Sequence, residues 1–165
     1  MQKNFVKKAL VLVLGLSLML GVVGCGKEKA DAPAVDITVE ELIDQVYENT
    51  DASMYNQTVQ TESIDLTDKD SMNYYLGVDD LSGLESAAYS EPMMSSIAHS
   101  VVALKFDNAE DAKAAAASLK ESAPVQKWVC VEPDAVTTKV VYNTYVIFSM
   151  SSADFIDNLN NMTFE

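Results

Sequence analysis

The chain has 165 residues, with 25 Asp and Glu against 11 Lys, no Arg, and a formal charge of −14. Such acidity excludes a nucleic-acid binder, which must neutralise phosphates with a basic surface. With two cysteines and one histidine, a disulfide framework or a His-rich metal site is equally foreign to the composition.

Lys3, Lys7 and Lys8 form a short positive stretch, followed by an uncharged apolar run of 15 residues from 9 to 23. A bilayer span needs ~20 such residues, so the pattern is that of a targeting segment and not of fold material. The run closes in Val22-Val23-Gly24-Cys25, which resembles the lipobox of bacterial lipoproteins. In that family, the small residues before the cysteine admit a dedicated peptidase, and the cysteine thiol takes a diacylglycerol. The resemblance therefore implies a signal peptide over 1–24, recognition through Val22, Val23 and Gly24, and lipidation of Cys25. Val22 is a mild departure, since the family more often carries Leu there. Two acyl chains anchor a protein stably where one does so only marginally. An ordinary signal peptide cut near Gly24 would instead release the protein, and an uncleaved anchor would call for a longer apolar run.

Removing residues 1–24 leaves 141 residues, enough for one domain with a single core. Eight lysines remain against all 25 acidic residues, for a charge of about −17. Anionic headgroups repel such a domain, so the acyl anchor alone would hold it at the extracytoplasmic face of the cell membrane. With Cys25 lipidated, Cys130 has no partner for an intramolecular disulfide.

Residues 25–36 lack periodicity and are expected to form a flexible tether, leaving 37–165 as the domain. Thr38 and Glu41 make a capping box. Val39, Leu42, Ile43, Val46 and Tyr47 then follow the stripe of an amphipathic helix ending near 48–51. Residues 54–66 are mostly polar and weakly patterned. A short helix is expected over 67–76, capped by Thr67 and stopped by Gly77. The period then changes to two, predicting strands over 85–90 and 96–106, with Val102, Leu104 and Phe106 on one face and Val101, Ala103 and Lys105 on the other.

Asp107 and Asn108 are N-cap candidates for a helix from 109 to about 121, with Ala112, Ala115, Ala116 and Leu119 inward. Residues 125–131 fit either an edge strand or a helical extension. A hairpin follows over 137–142 and 145–150, turning at Asn143-Thr144. Its second arm is apolar on both faces, as an interior strand should be. A closing helix over 152–160 turns Phe155, Ile156 and Leu159 inward. The expected fold is α+β, a mostly antiparallel sheet of about four strands with helices packed on it.

This pattern, from 37 to 151, resembles the Gram-positive lipoprotein family called domain of unknown function 4358. The likeness lies in the lipobox, in Tyr74-Tyr75-Leu76-Gly77, in residues 101–119, in Gln126-Lys127-Trp128 leading to Pro133, and in Tyr145-Val146-Ile147-Phe148-Ser149. Asn143 departs from it, since similar proteins often carry Gly at this turn. The resemblance implies a fold and a location, and supplies no catalytic residues.

Little in the chain carries chemistry. His99 is in phase with Val101 and Ala103, which suits a structural or surface role better than a general base. Cys130, between two valines, is expected to be a buried, inert thiol. Asp65, Asp68, Asp70, Asp79 and Asp80 are acidic, but lack the spacing, sharp-turn Gly and terminal Glu of a calcium loop. Tyr74, Tyr75 and Trp128, with Tyr89, Tyr142 and Tyr145, could line a groove for a sugar or peptide. No phosphate loop, C-x-x-C, H-E-x-x-H or G-x-S-x-G occurs. The expectation is a non-enzymatic, lipid-anchored domain without resident cofactor or metal, serving an envelope partner or a small ligand. A surface hydrolase using two carboxylates and a weak calcium-responsive module are the alternatives.

Overall fold

The computed structural model describes residues 35–50, 55 and 58–164. The expected signal peptide with Val22, Val23 and Gly24, the expected lipidation site Cys25 and the expected tether up to 34 lie outside the described residues.

Helix α1, Val39–Asn49, opens on the expected capping box. The Thr38 hydroxyl accepts the Glu41 amide at 3.1 Å, and the Glu41 carboxylate accepts the Thr38 amide at 2.8 Å. Two otherwise orphaned amides are thereby satisfied. Just ahead of the helix the chain is clamped to the sheet. The Tyr145 hydroxyl donates to the Ile37 carbonyl at 2.8 Å and lies 3.2 Å from the Ile37 amide, while Lys105 pairs with Asp36 at 2.8 Å. Asp36, expected as the last tether residue, thus already belongs to the fold.

The sheet has five strands: β1 (Val59–Ser63), β2 (Leu84–Pro92), β3 (Ser100–Phe106), β4 (Ala135–Val141) and β5 (Tyr145–Ser151). They lie in the order β1-β2-β3-β5-β4, and every neighbouring pair is antiparallel. Three further helices complete the domain: α2 (Lys69–Leu76), α3 (Ala109–Ser122) and α4 (Ala153–Asn161). The fold is α+β, a single domain with one strand more than expected.

Both faces of the sheet are covered. Helices α1 and α4 pack Leu42, Ile43, Val46, Phe155 and Leu159 against Val101, Ala103, Tyr145 and Ile147. Helices α2 and α3 pack Met72, Leu76, Ala115 and Leu119 against Val102, Leu104, Phe106 and Phe148. The period-two alternation of β3 thus feeds two cores at once. Every residue of β5 is buried, as its unbroken apolar run requires. Ala112, Ala115 and Ala116 of α3 face inward as expected, and their short side chains let the helix lie close to the sheet.

The extra strand, β1, runs through the weakly patterned segment. Four of its five residues are exposed, so burial left no alternation in Val-Gln-Thr-Glu-Ser to be read. Helix α2 is capped by Asp68 instead of Thr67, because the Asp68 carboxylate accepts the Asp70 amide at 3.0 Å while the Thr67 hydroxyl donates to Asp65 at 2.7 Å. Its end is as expected. Gly77 has φ +71°, and a Cβ there would sit 2.0 Å from the Ser122 carbonyl oxygen, so only glycine fits both the conformation and the space.

Strand β3 starts at Ser100 and not at 96, since Ile97 and His99 spend their amides on local turns to Met94 and Ile97. In the β4–β5 hairpin the positive φ values fall on Tyr142 (47°) and Asn143 (64°), so the turn starts one residue before Asn143-Thr144. Residues 125–131 are neither strand nor helix. Their amides make single-turn bonds, Val125 to Ala123 and Lys127 to Pro124, and Val129 reaches back to Ser95.

Candidate functional site: an aromatic cage around Lys127

Four of the six predicted groove residues do meet. Helix α2 contributes Tyr74 and Tyr75, and the irregular segment after α3 contributes Trp128. Strand β2 adds Tyr89, whose ring stacks on Tyr75 at 3.9 Å between centroids. Tyr74 meets Tyr75 edge to face at 4.9 Å. The space these rings enclose is filled by the chain itself. The Lys127 ammonium lies 5.2 Å from the Tyr74 ring centroid, 5.3 Å from Tyr75 and 4.9 Å from Trp128. It also forms an ion pair with Glu91 of β2. The Lys127 side chain is only 3% exposed and that of Glu91 12%.

Chemically, this is a cage for an alkylammonium. Ring faces carry the negative end of the aromatic quadrupole, and each such contact is worth about 0.5–2 kcal/mol, more when dry. A carboxylate completes the charge balance. Burial lowers the Lys127 pKa, with Glu91 opposing the shift. Burial also raises the pKa of Tyr74, Tyr75 and Tyr89, and Glu62, which accepts the Tyr89 hydroxyl at 2.8 Å, raises that of Tyr89 further. The cage pins the irregular segment between α3 and β4 onto α2 and β2. Tyr74 remains 49% exposed and forms its outer wall.

Tyr142 and Tyr145 do not join it. Their rings belong to the core under α1 and α4, where the Tyr142 hydroxyl donates to Gln45 at 3.1 Å. Lys127 and Glu91 were missed by sequence reasoning. One lysine beside a tryptophan, and one glutamate 36 residues earlier, carry no local signal of pairing.

His99 is fully buried in the opposite core. Its Nδ1 lies 2.7 Å from the Ser151 hydroxyl and its Nε2 3.0 Å from the Tyr47 hydroxyl. Its ring stacks on Tyr55 at 3.8 Å and meets Phe155 edge to face at 4.8 Å. A neutral imidazole has one donor and one acceptor nitrogen, and either tautomer satisfies both hydroxyls. Burial alone pushes its pKa down to about 3. The seryl oxygen beside it is itself fully buried, so the pair is built into the core and not presented to a substrate.

Cys130 overturns its expectation. It is exposed, in the left-handed region at φ 61°, because its segment joins neither sheet nor helix and Trp128 takes the inward position instead. The folded protein should therefore react with a thiol-specific reagent as fast as the denatured chain does. Protection by tenfold or more in the native state would contradict this exposure.

Three of the five acidic residues of the α2 region serve local structure. Asp65 accepts from Thr67, which lowers its pKa, Asp68 caps α2, and Asp79 accepts from Asn73 at 3.0 Å. Among the described residues, no three His, Cys, Asp or Glu side chains are grouped to hold a metal ion. No described helix is long and apolar enough to cross a membrane. No family model, curated protein or solved structure matches the chain.

Proposed function

We propose that this chain is a lipid-anchored extracytoplasmic domain, akin to the lipoproteins of domain of unknown function 4358, that binds an envelope protein or small ligand as an accessory. The observation that carries this reading is the short apolar run closing in Val22-Val23-Gly24-Cys25 after three lysines. Diacylglycerol on Cys25 supplies the only strong attraction to the bilayer, since a mature charge of about −17 opposes polar adhesion. A domain clamped at Asp36 and Ile37 suits a short tether, which would hold it near the membrane surface.

The accessory role is supported by what His99 and Lys127 are doing. His99 holds two core hydroxyls together, and the aromatic cage holds the chain's own lysine. Cys25→Ala is expected to leave a folded domain that is unprocessed or absent from the membrane fraction. Mass spectrometry of the mature N-terminus and cell fractionation check this. A Cys25→Ala protein that stays mature and membrane-bound would sink the anchor. In-cell crosslinking against that variant then tests the accessory role, and a wild type that yields no more partner than the variant removes it.

A further inference from the structure

Strand β1 ends the sheet, and no described residue pairs with its outer edge. Its orientation follows from the flanking bonds. The Met93 amide donates to the Thr58 carbonyl at 3.0 Å, and the Ile64 amide donates to the Ala87 carbonyl at 2.8 Å. In an antiparallel ladder, such inward-bonding residues alternate with outward-bonding ones. Residues 58, 60, 62 and 64 therefore bond to β2, and Val59, Thr61 and Ser63 turn their backbone groups outward. The Val59 amide is spent on the Tyr55 carbonyl. Among the described residues, nothing takes up the outward amides and carbonyls of Thr61 and Ser63.

Edges of this kind are ordinarily blunted by lysine, proline or a covering element. The opposite edge, β4, carries Lys139, whose ammonium reaches the Leu159 and Asn160 carbonyls at the end of α4. Edge β1 carries neither lysine nor proline. A line of carboxylates lies beside it instead. Glu40, Asp44 and Glu48 sit at i, i+4 and i+8 of α1, on one side of the helix. Glu40 accepts the Ser63 hydroxyl at 2.8 Å, and Asp44 and Glu48 line a shallow groove of about 290 Å³ with Tyr47, Val59 and Thr61. Among the described residues, none of the three forms an ion pair with a cation.

The spacings match. Carboxylates four residues apart on a helix recur every ~6 Å, and same-face side chains of an extended strand every ~6.6 Å. A strand added to β1 would place one side chain beside each carboxylate. We propose that β1 is a docking edge for an extended segment of a protein partner carrying Lys or Arg at alternate positions. Backbone bonds to Thr61 and Ser63 would hold the strand, and the α1 carboxylates would select its charge. This deepens the accessory reading and rests on it.

The probe is a fluorescent nine-residue peptide alternating Lys and Thr, titrated into the full-length protein in neutral detergent at low salt. Its Glu-for-Lys counterpart is expected not to bind. Thr61→Pro removes an outward amide and leaves the β1–β2 ladder intact, and should weaken binding at least tenfold with little change in melting temperature. Glu40→Gln with Asp44→Asn and Glu48→Gln should weaken it as much and flatten its salt dependence. Should Thr61→Pro fail to fold, a peptide N-methylated at alternate residues puts the same question to the wild type, and is expected not to bind.

No binding of the parent peptide at 1 mM would overturn the proposal. So would equal binding of the N-methylated peptide, since charge alone would then suffice. A partner crosslinked in cells by a protein that ignores the peptide would overturn the docking edge and spare the accessory role. An absent partner would overturn that role itself.

Discussion

Replacing Glu91 by alanine is expected to cost the domain about 3–5 kcal/mol, as removing one member of a buried ion pair does. Lys127 would be left charged and walled in by Tyr74, Tyr75 and Trp128, with no carboxylate to balance it. The loss would be accompanied by an altered pH profile. Burial lowers the Lys127 pKa, so below its ordinary 10.5 the unfolded chain holds the proton more firmly than the folded one. Stability therefore rises as pH climbs from the folded pKa toward 10.5. Without Glu91 the folded pKa drops further, and the window widens toward neutrality.

Glu91→Ala combined with Lys127→Met should recover most of the loss, since an unbranched apolar chain fills much the same space without a charge. Chemical denaturation of the two single variants and the double variant measures the coupling. Additive losses would mean that the two groups do not interact, against the geometry.

His99 should make the domain sensitive to acid. The folded protein refuses a proton on His99 down to about pH 3, whereas an unfolded chain accepts it near 6.5. In that interval the unfolded state binds more protons, so stability falls with acidification by up to about 1.4 kcal/mol per pH unit. By pH 4.5 the loss from this one residue is about 2–3 kcal/mol, approaching ~5 kcal/mol near pH 3. The groups packed around the ring are Tyr47, Tyr55, Phe155 and Ser151. None carries a negative charge that would welcome the imidazolium.

His99→Gln retains a donor and an acceptor for the two hydroxyls but cannot titrate. It should be less stable than the wild type at pH 7, through loss of the ring stack, and the gap should close or reverse by pH 4.5. Because other carboxylates titrate alike in both proteins, the difference between the two denaturation midpoints isolates His99. A gap that stays constant from pH 7 to 4.5 would show that the imidazole does not resist protonation.

What could be read from the sequence, and what could not, divides along burial. Helix α1 announced itself through Thr38, Glu41 and a stripe of apolar residues, because capping and amphipathicity are local and repeat with the helix period. Strands β3 and β5 were legible for the same reason. Strand β1 was not, because an edge strand exposed on four of its five residues needs no apolar pattern. The loop around 125–131 was equally opaque. Its backbone is shaped by Lys127 reaching Glu91 and by Trp128 turning inward, contacts that span tens of residues.

The same division runs through the functional residues. Tyr74, Tyr75 and Trp128 were recognisable as aromatics fit for a groove, but the ammonium between them belongs to a lysine with no local mark of its destination. Cys130 looked buried between two valines. It is exposed because the segment carrying it joins neither sheet nor helix.

By itself, the sequence determined the α+β class, the capped helix α1, the apolar β5 and the expectation of an anchor at Cys25, since each rests on residues adjacent in the chain. Tertiary structure alone decided that β1 exists as an edge strand, that His99 is sealed beside Ser151 and Tyr47, and that the aromatic cage is already filled. Those outcomes depend on which distant groups desolvate one another, and no local period or spacing encodes that.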